Sequence, residues 1–369
     1  MNVAMLASAA NIHTVRWATA IARRGVRVSL FSQHPPAPEL AGEKVEVHLL
    51  PYAGMLGYAR NAAAVRRAFT SSGADFLHVH YVGGYGLTAL LSGVEPVMMS
   101  VWGADVYDVP ERSPIHRWLV RAILQRARLI SSTSEVMARQ TRALGVGRPI
   151  RVVPFGVDTT LFVPEPRPVA GKIVIGTVKT LHPKYGIDTL IEAFALLSRI
   201  RPDLHKAGLQ LRIVGRGEYL ETYQRLARDL DIDHQVEFSG FVPHSEVPRT
   251  LGTFDIYVAA SRLDSESFGV AVIEASACGV PVIVSDAGGL PEVVQDGTTG
   301  LIVPREDPAA LADAISRLVD DKDLRARMGR AGRDHVQAHY EWGKCVDEML
   351  ACYEAMNAAM IQVGGSRRP

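Results

Sequence analysis

Short runs rich in β-branched residues alternate with helix-periodic stretches along almost the whole chain, and this rhythm restricts the fold more than any other feature. Parallel strands need a crossover of a dozen or more residues, usually a helix, so the alternation specifies parallel sheets covered by helices. Strands are predicted in the first half at residues 3–7, 26–31, 45–49, 76–80, 97–101, 129–131 and 150–153. Helices are predicted between them, for example at 14–23, where Val15, Ala18 and Ile21 recur at helical spacing, and at 115–125. The segment Pro164-Glu-Pro-Arg-Pro168 then breaks the pattern, because closely spaced prolines are stiff and cannot continue a sheet interior. The rhythm restarts with strands at 173–178, 211–214, 236–238, 256–259 and 281–284. From Leu311 to Ala359 the pattern is mainly helical, long enough to reach back across the seam.

With 369 residues the chain exceeds the roughly 250–300 at which a single core stops growing. Two doubly wound domains are therefore expected, at 1–164 and 165–340, followed by a returning helix and frayed tail at 341–369. At 47% hydrophobic and 21% charged residues the composition is that of an ordinary globular protein. No apolar run approaches the roughly 20 residues of a membrane-spanning helix, and the start reads as a first strand rather than a signal peptide. Cys278, Cys345 and Cys352 form no metal or redox spacing, which suits a reducing cytoplasm; the last two, seven apart, would share one buried helix face. Net charge is +1, but residues 1–164 carry 17 basic and 10 acidic side chains, so the first half is positive and the second negative. That imbalance fits either an anionic partner such as a membrane surface or scattered surface charge; no nucleic-acid partner is expected.

The most informative stretch is Ser261-Arg-Leu-Asp-Ser-Glu-Ser-Phe-Gly-Val-Ala-Val-Ile-Glu-Ala275. It follows a predicted strand, and its second part reads as a helix opening near Phe268. The amides of Phe268, Gly269 and Val270 would then present the positive end of the helix dipole, an arrangement that favours a diphosphate. Glu266 and Glu274 flank this point. Eight helical residues would separate them by roughly 12 Å, whereas a retaining glycosidase pair stands at about 5–5.5 Å. They suit two ends of one ligand, sugar hydroxyls at Glu266 and ribose hydroxyls at Glu274. The alternative is two solvated glutamates, which the apolar surroundings of Glu274 oppose. Lys179 and Lys184 share one strand-to-helix loop, where two ammonium groups can neutralise a departing pyrophosphate or simply be solvated. Val214-Gly215-Arg-Gly217-Glu218 lacks the third glycine of a dinucleotide fingerprint, since Leu220 stands there. It reads as a tight turn, with Gly215 entering as a nucleotide-sugar contact. Gly288 and Gly289 follow another strand and would permit close backbone approach to a ligand.

At these residues the chain resembles the family 4 glycosyltransferases, retaining enzymes of the GT-B fold. Glu266 through Glu274 matches the family's Glu-x7-Glu motif. Pro154-Phe-Gly-Val-Asp158 is similar to its hinge motif, and Asp286-Ala-Gly-Gly-Leu-Pro-Glu-Val-Val294 also fits. The resemblance implies two Rossmann-like domains facing across a cleft, with the C-terminal helices crossing back to the first domain. It implies a nucleotide-diphosphate sugar donor (UDP- or GDP-sugar foremost), no metal, and front-face attack with retention. Glu266 would contact the donor sugar, Glu274 the ribose, and Lys179 with Lys184 the diphosphate. Lys179 stands where many members carry arginine, keeping the charge without the bidentate fork. Two further positions depart from the family: the first loop, 8–13, lacks a glycine pair, and Trp102 replaces a histidine near the reaction centre. The acceptor-side group is thus open among Asp105, His13 and His80.

The acceptor would be a saccharide or a lipid-linked sugar. Residues 111–128, with Arg117, Arg121, Arg126 and Arg128, read as a basic amphipathic helix carrying Trp118 on its apolar side. Such a helix can lie on an anionic membrane, or it can be an ordinary core-facing surface helix. The resulting expectation is a retaining hexosyltransferase of polysaccharide or glycolipid assembly, cytoplasmic or peripheral on the inner membrane face. A nucleotide-sugar 2-epimerase of the same fold and a non-catalytic nucleotide-sugar sensor are the alternatives.

Overall fold

The computed structural model describes residues 1–165, 172–206 and 208–365. It divides into two compact units, one formed by Met1–Pro154 with Cys345–Pro369, the other by Phe155–Lys344. Most of the proline segment at 164–168 and the end of the tail lie outside the described residues.

The first unit is a seven-stranded parallel sheet of β1 (Asn2–Leu6), β2 (Arg27–Ser32), β3 (Val45–Leu49), β4 (Phe76–His80), β5 (Val97–Val101), β6 (Leu129–Ser132) and β7 (Ile150–Val152), in the order 3-2-1-4-5-6-7. β4, β5 and β6 are buried along their whole length, as central strands of a parallel sheet covered on both faces are, and their few polar residues, such as His78 and Ser100, are buried with them. The Trp342–Gly365 helix contributes to this unit through Cys345, Met349, Cys352, Tyr353 and Met356, a buried stripe at helical spacing. The hydroxyl of Tyr353 reaches the Nδ1 of buried His78 at 2.7 Å, and His78 Nε2 reaches Ser100 Oγ at 2.7 Å. The returning helix is thus fixed by hydrogen bonding inside the sheet layer as well as by packing.

The second unit repeats the plan with β8 (Val174–Val178), β9 (Gln210–Val214), β10 (Val236–Gly240), β11 (Ile256–Ala259), β12 (Val282–Ser285) and β13 (Gly300–Val303), ordered 10-9-8-11-12-13 and all parallel. Counted from its own first strand this is 3-2-1-4-5-6, the doubly wound order. β13 went unpredicted: four residues opening on a glycine carry too little pattern, and pairing with β12 decides the matter.

In both sheets the strand order reverses beside the first strand, at β1/β4 and at β8/β11. Loops leaving the carboxyl ends of the two strands at such a reversal diverge, and the crevice they leave is where ligands of open α/β sheets bind.

Candidate active site

In the second unit, β8 ends at Val178 and β11 at Ala259, so residues 179–186 and 260–269 leave the two strands that flank the reversal. Lys179 comes from the first loop and Glu266 from the second. Lys179 Nζ stands 3.0 Å from Glu266 Oε1, with only 11% and 10% of the two side chains exposed. Burial opposes the lysine's charge, but the carboxylate of Glu266 and the rings of Tyr257 and Tyr185 outweigh it and raise its pKa above the ordinary range. Lys179 Nζ also lies 4.9 Å from the centre of the Tyr185 ring, a cation–π contact. Lys184 faces the same ring at 5.5 Å and donates to the carbonyl of Ser265 at 2.9 Å. The two lysines therefore meet over the loop that carries Glu266.

The helix after Glu266 spans Val270–Ala277, two residues later than the sequence pattern suggests, because Gly269 adopts a left-handed conformation as its N-cap. Val272 N–H donates to the Gly269 carbonyl at 2.9 Å, while helix geometry leaves the amides of Val270 and Ala271 without an intrahelical acceptor at the positive end of the dipole. Phe268 is buried, and its ring packs edge-on against Tyr340, which fixes the backbone just before the helix. Glu274, one turn further on, is 5% exposed in a largely apolar helix. Its Oε1 lies 3.0 Å from His244 Nε2, the partner that makes its burial tolerable. Sequence reasoning missed His244. It lies 30 residues earlier in a 3-10 turn with no motif around it, and only the fold brings the two together.

Two glycine sites shape the backbone of these loops. Gly215 follows β9 with φ 145°, and a Cβ there would stand 1.8 Å from the carbonyl oxygen of Lys179. Its bare backbone thus sets the path of the lysine loop, while Gly215 N–H donates to the Gly240 carbonyl at 2.8 Å. The paired glycines are likewise placed against protein. A Cβ on Gly288 would fall 2.3 Å from the carbonyl oxygen of Glu266, and Gly289 N–H donates to that oxygen at 2.9 Å. The expected close approach is real, but its object is the loop of Glu266. Arg305 completes the brace, holding Asp264 at 2.8 Å, Asp286 at 3.0 Å and the Arg262 carbonyl at 3.1 Å.

At the reversal in the first unit, His13, His80 and Trp102 cluster. The His80 and Trp102 rings are 5.0 Å apart, and those of His13 and Trp102 6.0 Å. His80 is 1% exposed, and burial, helped by His13, pushes its pKa down to about 3, so it stays neutral in any physiological range. Asp105 is fully buried. Its carboxylate accepts the amides of Val82 at 3.0 Å, Trp102 at 3.1 Å and Gly103 at 2.8 Å. A carboxylate so engaged holds the turn after β5 against the turn after β4.

The Pro114–Gln125 helix buries Val120, Ile123 and Leu124, with Ala127 continuing the stripe. Trp118 is not on that side: it is 67% exposed and, with Ile115 at 75%, forms a separate outward pair three residues apart. The sequence offers apolar residues on two faces, and packing against the sheet selects only one. Among the described residues no helix is long and apolar enough to cross a membrane.

Comparison with known proteins fits this geometry. The family described as "Glycosyl transferases group 1" matches residues 160–335, and "Glycosyl transferase 4-like" matches residues 2–134. The GDP-mannose-dependent alpha-(1-6)-phosphatidylinositol monomannoside mannosyltransferase of Mycolicibacterium smegmatis is 35% identical over 272 residues, covering 70% of this chain and 69% of that protein. The phosphatidyl-myo-inositol mannosyltransferase of Mycobacterium leprae is 27% identical over 377 residues, covering 95% and 94%. Among solved structures, sucrose-phosphate synthase from Thermosynechococcus elongatus superposes with a TM-score of 0.84 at 22% identity, covering 97% of this chain and 100% of that one. HepE from Anabaena, solved with UDP, gives 0.83 at 19%, covering 96% and 100%. The doubled 3-2-1-4-5-6 sheets, the Glu266–Glu274 segment and these matches together establish that the chain belongs to the group 1, family 4-type glycosyltransferases, retaining enzymes of the GT-B fold that move a sugar from a nucleotide sugar.

Proposed function

We propose that the enzyme transfers a hexose from a nucleotide-diphosphate sugar to a lipid-linked polyol or sugar acceptor, with GDP-mannose the first donor to test. The observation that carries the reading is the meeting of Lys179 and Glu266 at 3.0 Å beside the amide end of the Val270–Ala277 helix. The diphosphate lies across the amides of Gly269 and Val270, with Lys179 and Lys184 beside it, so charge growing on the leaving group is neutralised by protein cations in place of a metal ion. Glu266 both fixes Lys179 and accepts hydrogen bonds from donor-sugar hydroxyls, while Glu274, held by His244, accepts from the ribose. On front-face attack the acceptor hydroxyl bonds to the anomeric carbon as the glycosyl–phosphate bond breaks, and its proton passes to the departing phosphate oxygen. Asp105 serves as a positioning residue, and His13, beside Trp102, is the acceptor-side group. GDP-mannose is favoured by the similar mannosyltransferases whose names specify that donor.

Exposed Ile115 and Trp118 beside Arg117 and Arg121 support seating on an anionic membrane at its cytoplasmic face, where a lipid-linked acceptor would be met. The test pairs a mass-spectrometric donor screen, run with and without a lipid extract, with vesicle sedimentation. Transfer to lipid from one nucleotide sugar in the presence of a chelator, and reduced pelleting of Trp118→Glu with phosphatidylglycerol vesicles, are expected. Conversion of donor without acceptor would indicate an epimerase. Binding without turnover under any acceptor would indicate a sensor.

A further inference from the structure

A cavity of 620 Å³ opens at the opposite end of the first unit's sheet, where β5, β6 and β7 begin. Strands of three to five residues, at about 3.3 Å each, place it on the order of 10–16 Å below the ends that carry His80 and Trp102. Its wall holds four arginines, Arg126, Arg128, Arg148 and Arg151, against one acidic residue, Glu95, and is closed by Ala355 and Met356 of the returning helix. Glu95 is already paired with Arg126 at 2.6 Å.

Four guanidinium groups around one concavity repel one another, and nothing in the catalytic geometry of the second unit uses them. Two are nevertheless pinned by the backbone. Arg148 Nε donates to the Gln125 carbonyl at 2.7 Å, and Arg151 Nη1 to the Ala351 carbonyl at 3.4 Å. Arg148 spends one of its five donors here, and Arg151, whose backbone contact is the longer, also hydrogen-bonds the Cys352 side chain, so both guanidinium groups are oriented while keeping donors for a ligand. Oriented arginine forks match phosphate oxygens in pairs, and the volume falls in the range of small-ligand sites.

We propose that this pocket is a second anion site, binding a ligand with two or more phosphoryl charges and bridging β7 to the returning helix. The inference is independent of the donor-site reading. The shared chemistry is a phosphate cluster, whether on a soluble metabolite or on a lipid headgroup, and two arms separate these sources. In the first, inorganic tripolyphosphate is titrated calorimetrically into the full chain at physiological salt. Losing the Arg148 and Arg151 forks weakens a charge-assisted contact set by about tenfold or more. Arg148→Gln/Arg151→Gln should therefore weaken one binding event about tenfold or more, an event left unchanged in Lys184→Ala. In the second arm, sedimentation with phosphatidic acid vesicles is compared for the same variants. Loss confined to the first arm assigns a soluble ligand, and loss confined to the second a lipid headgroup. Binding unchanged by Arg148→Gln/Arg151→Gln in both arms, or tripolyphosphate binding abolished by Lys184→Ala alone, overturns the proposal.

Discussion

Replacing Lys179 by methionine preserves most of the volume of the side chain and removes the charge facing Glu266. At 3.0 Å and an effective dielectric near 20 the attraction lost is about 5 kcal/mol. Part of that is offset in the native protein by the desolvation of both groups, which is why an intact buried pair adds little net stability. The single variant keeps the cost and loses the gain, leaving a carboxylate about one-tenth exposed without its ion-pair partner. Such a group can escape by taking up a proton. At pH 7 that costs a carboxylate of ordinary acidity about 3.5 kcal/mol, which caps the damage. Lys179→Met should therefore destabilise the second unit by about 3 kcal/mol at pH 7. The loss should shrink by roughly 1.4 kcal/mol per pH unit on acidification. Adding Glu266→Gln should recover most of the loss, since no buried charge then remains. The chain has two units, so a global melt would mix transitions. Urea unfolding followed by amide hydrogen exchange in β8, β11 and β12 isolates the second unit, because all three strands lie within it. A loss below about 1 kcal/mol that does not vary with pH would refute the picture of a buried, mutually dependent pair.

Three further outcomes follow from the same geometry. Gly215→Ala should cost about 3 kcal/mol in the same assay and lower kcat/KM with it, because the new methyl would overlap the Lys179 carbonyl at 1.8 Å. His244→Ala should raise the donor KM by about tenfold with little change in kcat, since Glu274 loses its 3.0 Å partner and the ribose contact loosens. The pKa of Lys179 is raised despite burial, by Glu266 and the tyrosine rings, so its stabilising charge is fully present below the ordinary lysine value of about 10.4 and is lost only above it. A kcat/KM profile should therefore show no alkaline limb from this residue up to about pH 9.5.

Much of this architecture was legible from residues alone. Buried strands such as Phe76–His80 and Val97–Val101 are short, mostly apolar runs, and their alternation with amphipathic helices leaves few folds open. Glu266, Glu274, Lys179 and Lys184 stand out in the sequence because charged groups at strand-to-helix junctions, or within a buried helix, need a partner, and the fold brings Lys179 to Glu266 and His244 to Glu274. What the sequence withheld depends on long-range approach. His244 is a lone loop histidine until a 30-residue return sets it against Glu274. Gly288 and Gly289 look like a ligand cradle until the backbone of residues 264–267 is seen to occupy the space. Trp118 was assigned to the apolar side of its helix, yet packing took Val120, Ile123 and Leu124 and left it outside. Asp105 is one of three acceptor-side candidates in the sequence, and only the fold shows that backbone amides from two turns engage its oxygens.

The central claim is that the second unit recognises a diphosphate through two lysines and a helix end, and nucleotide binding tests it most directly. Calorimetric titration of GDP, GMP and guanosine (with UDP, UMP and uridine in parallel) into the native chain and Lys184→Ala separates the phosphate contribution from that of the base. Loss of one charge-assisted contact should weaken the nucleoside diphosphate by about tenfold or more while leaving the nucleoside unchanged. Equal weakening of diphosphate and nucleoside, or diphosphate affinity indifferent to the substitution, would contradict the account.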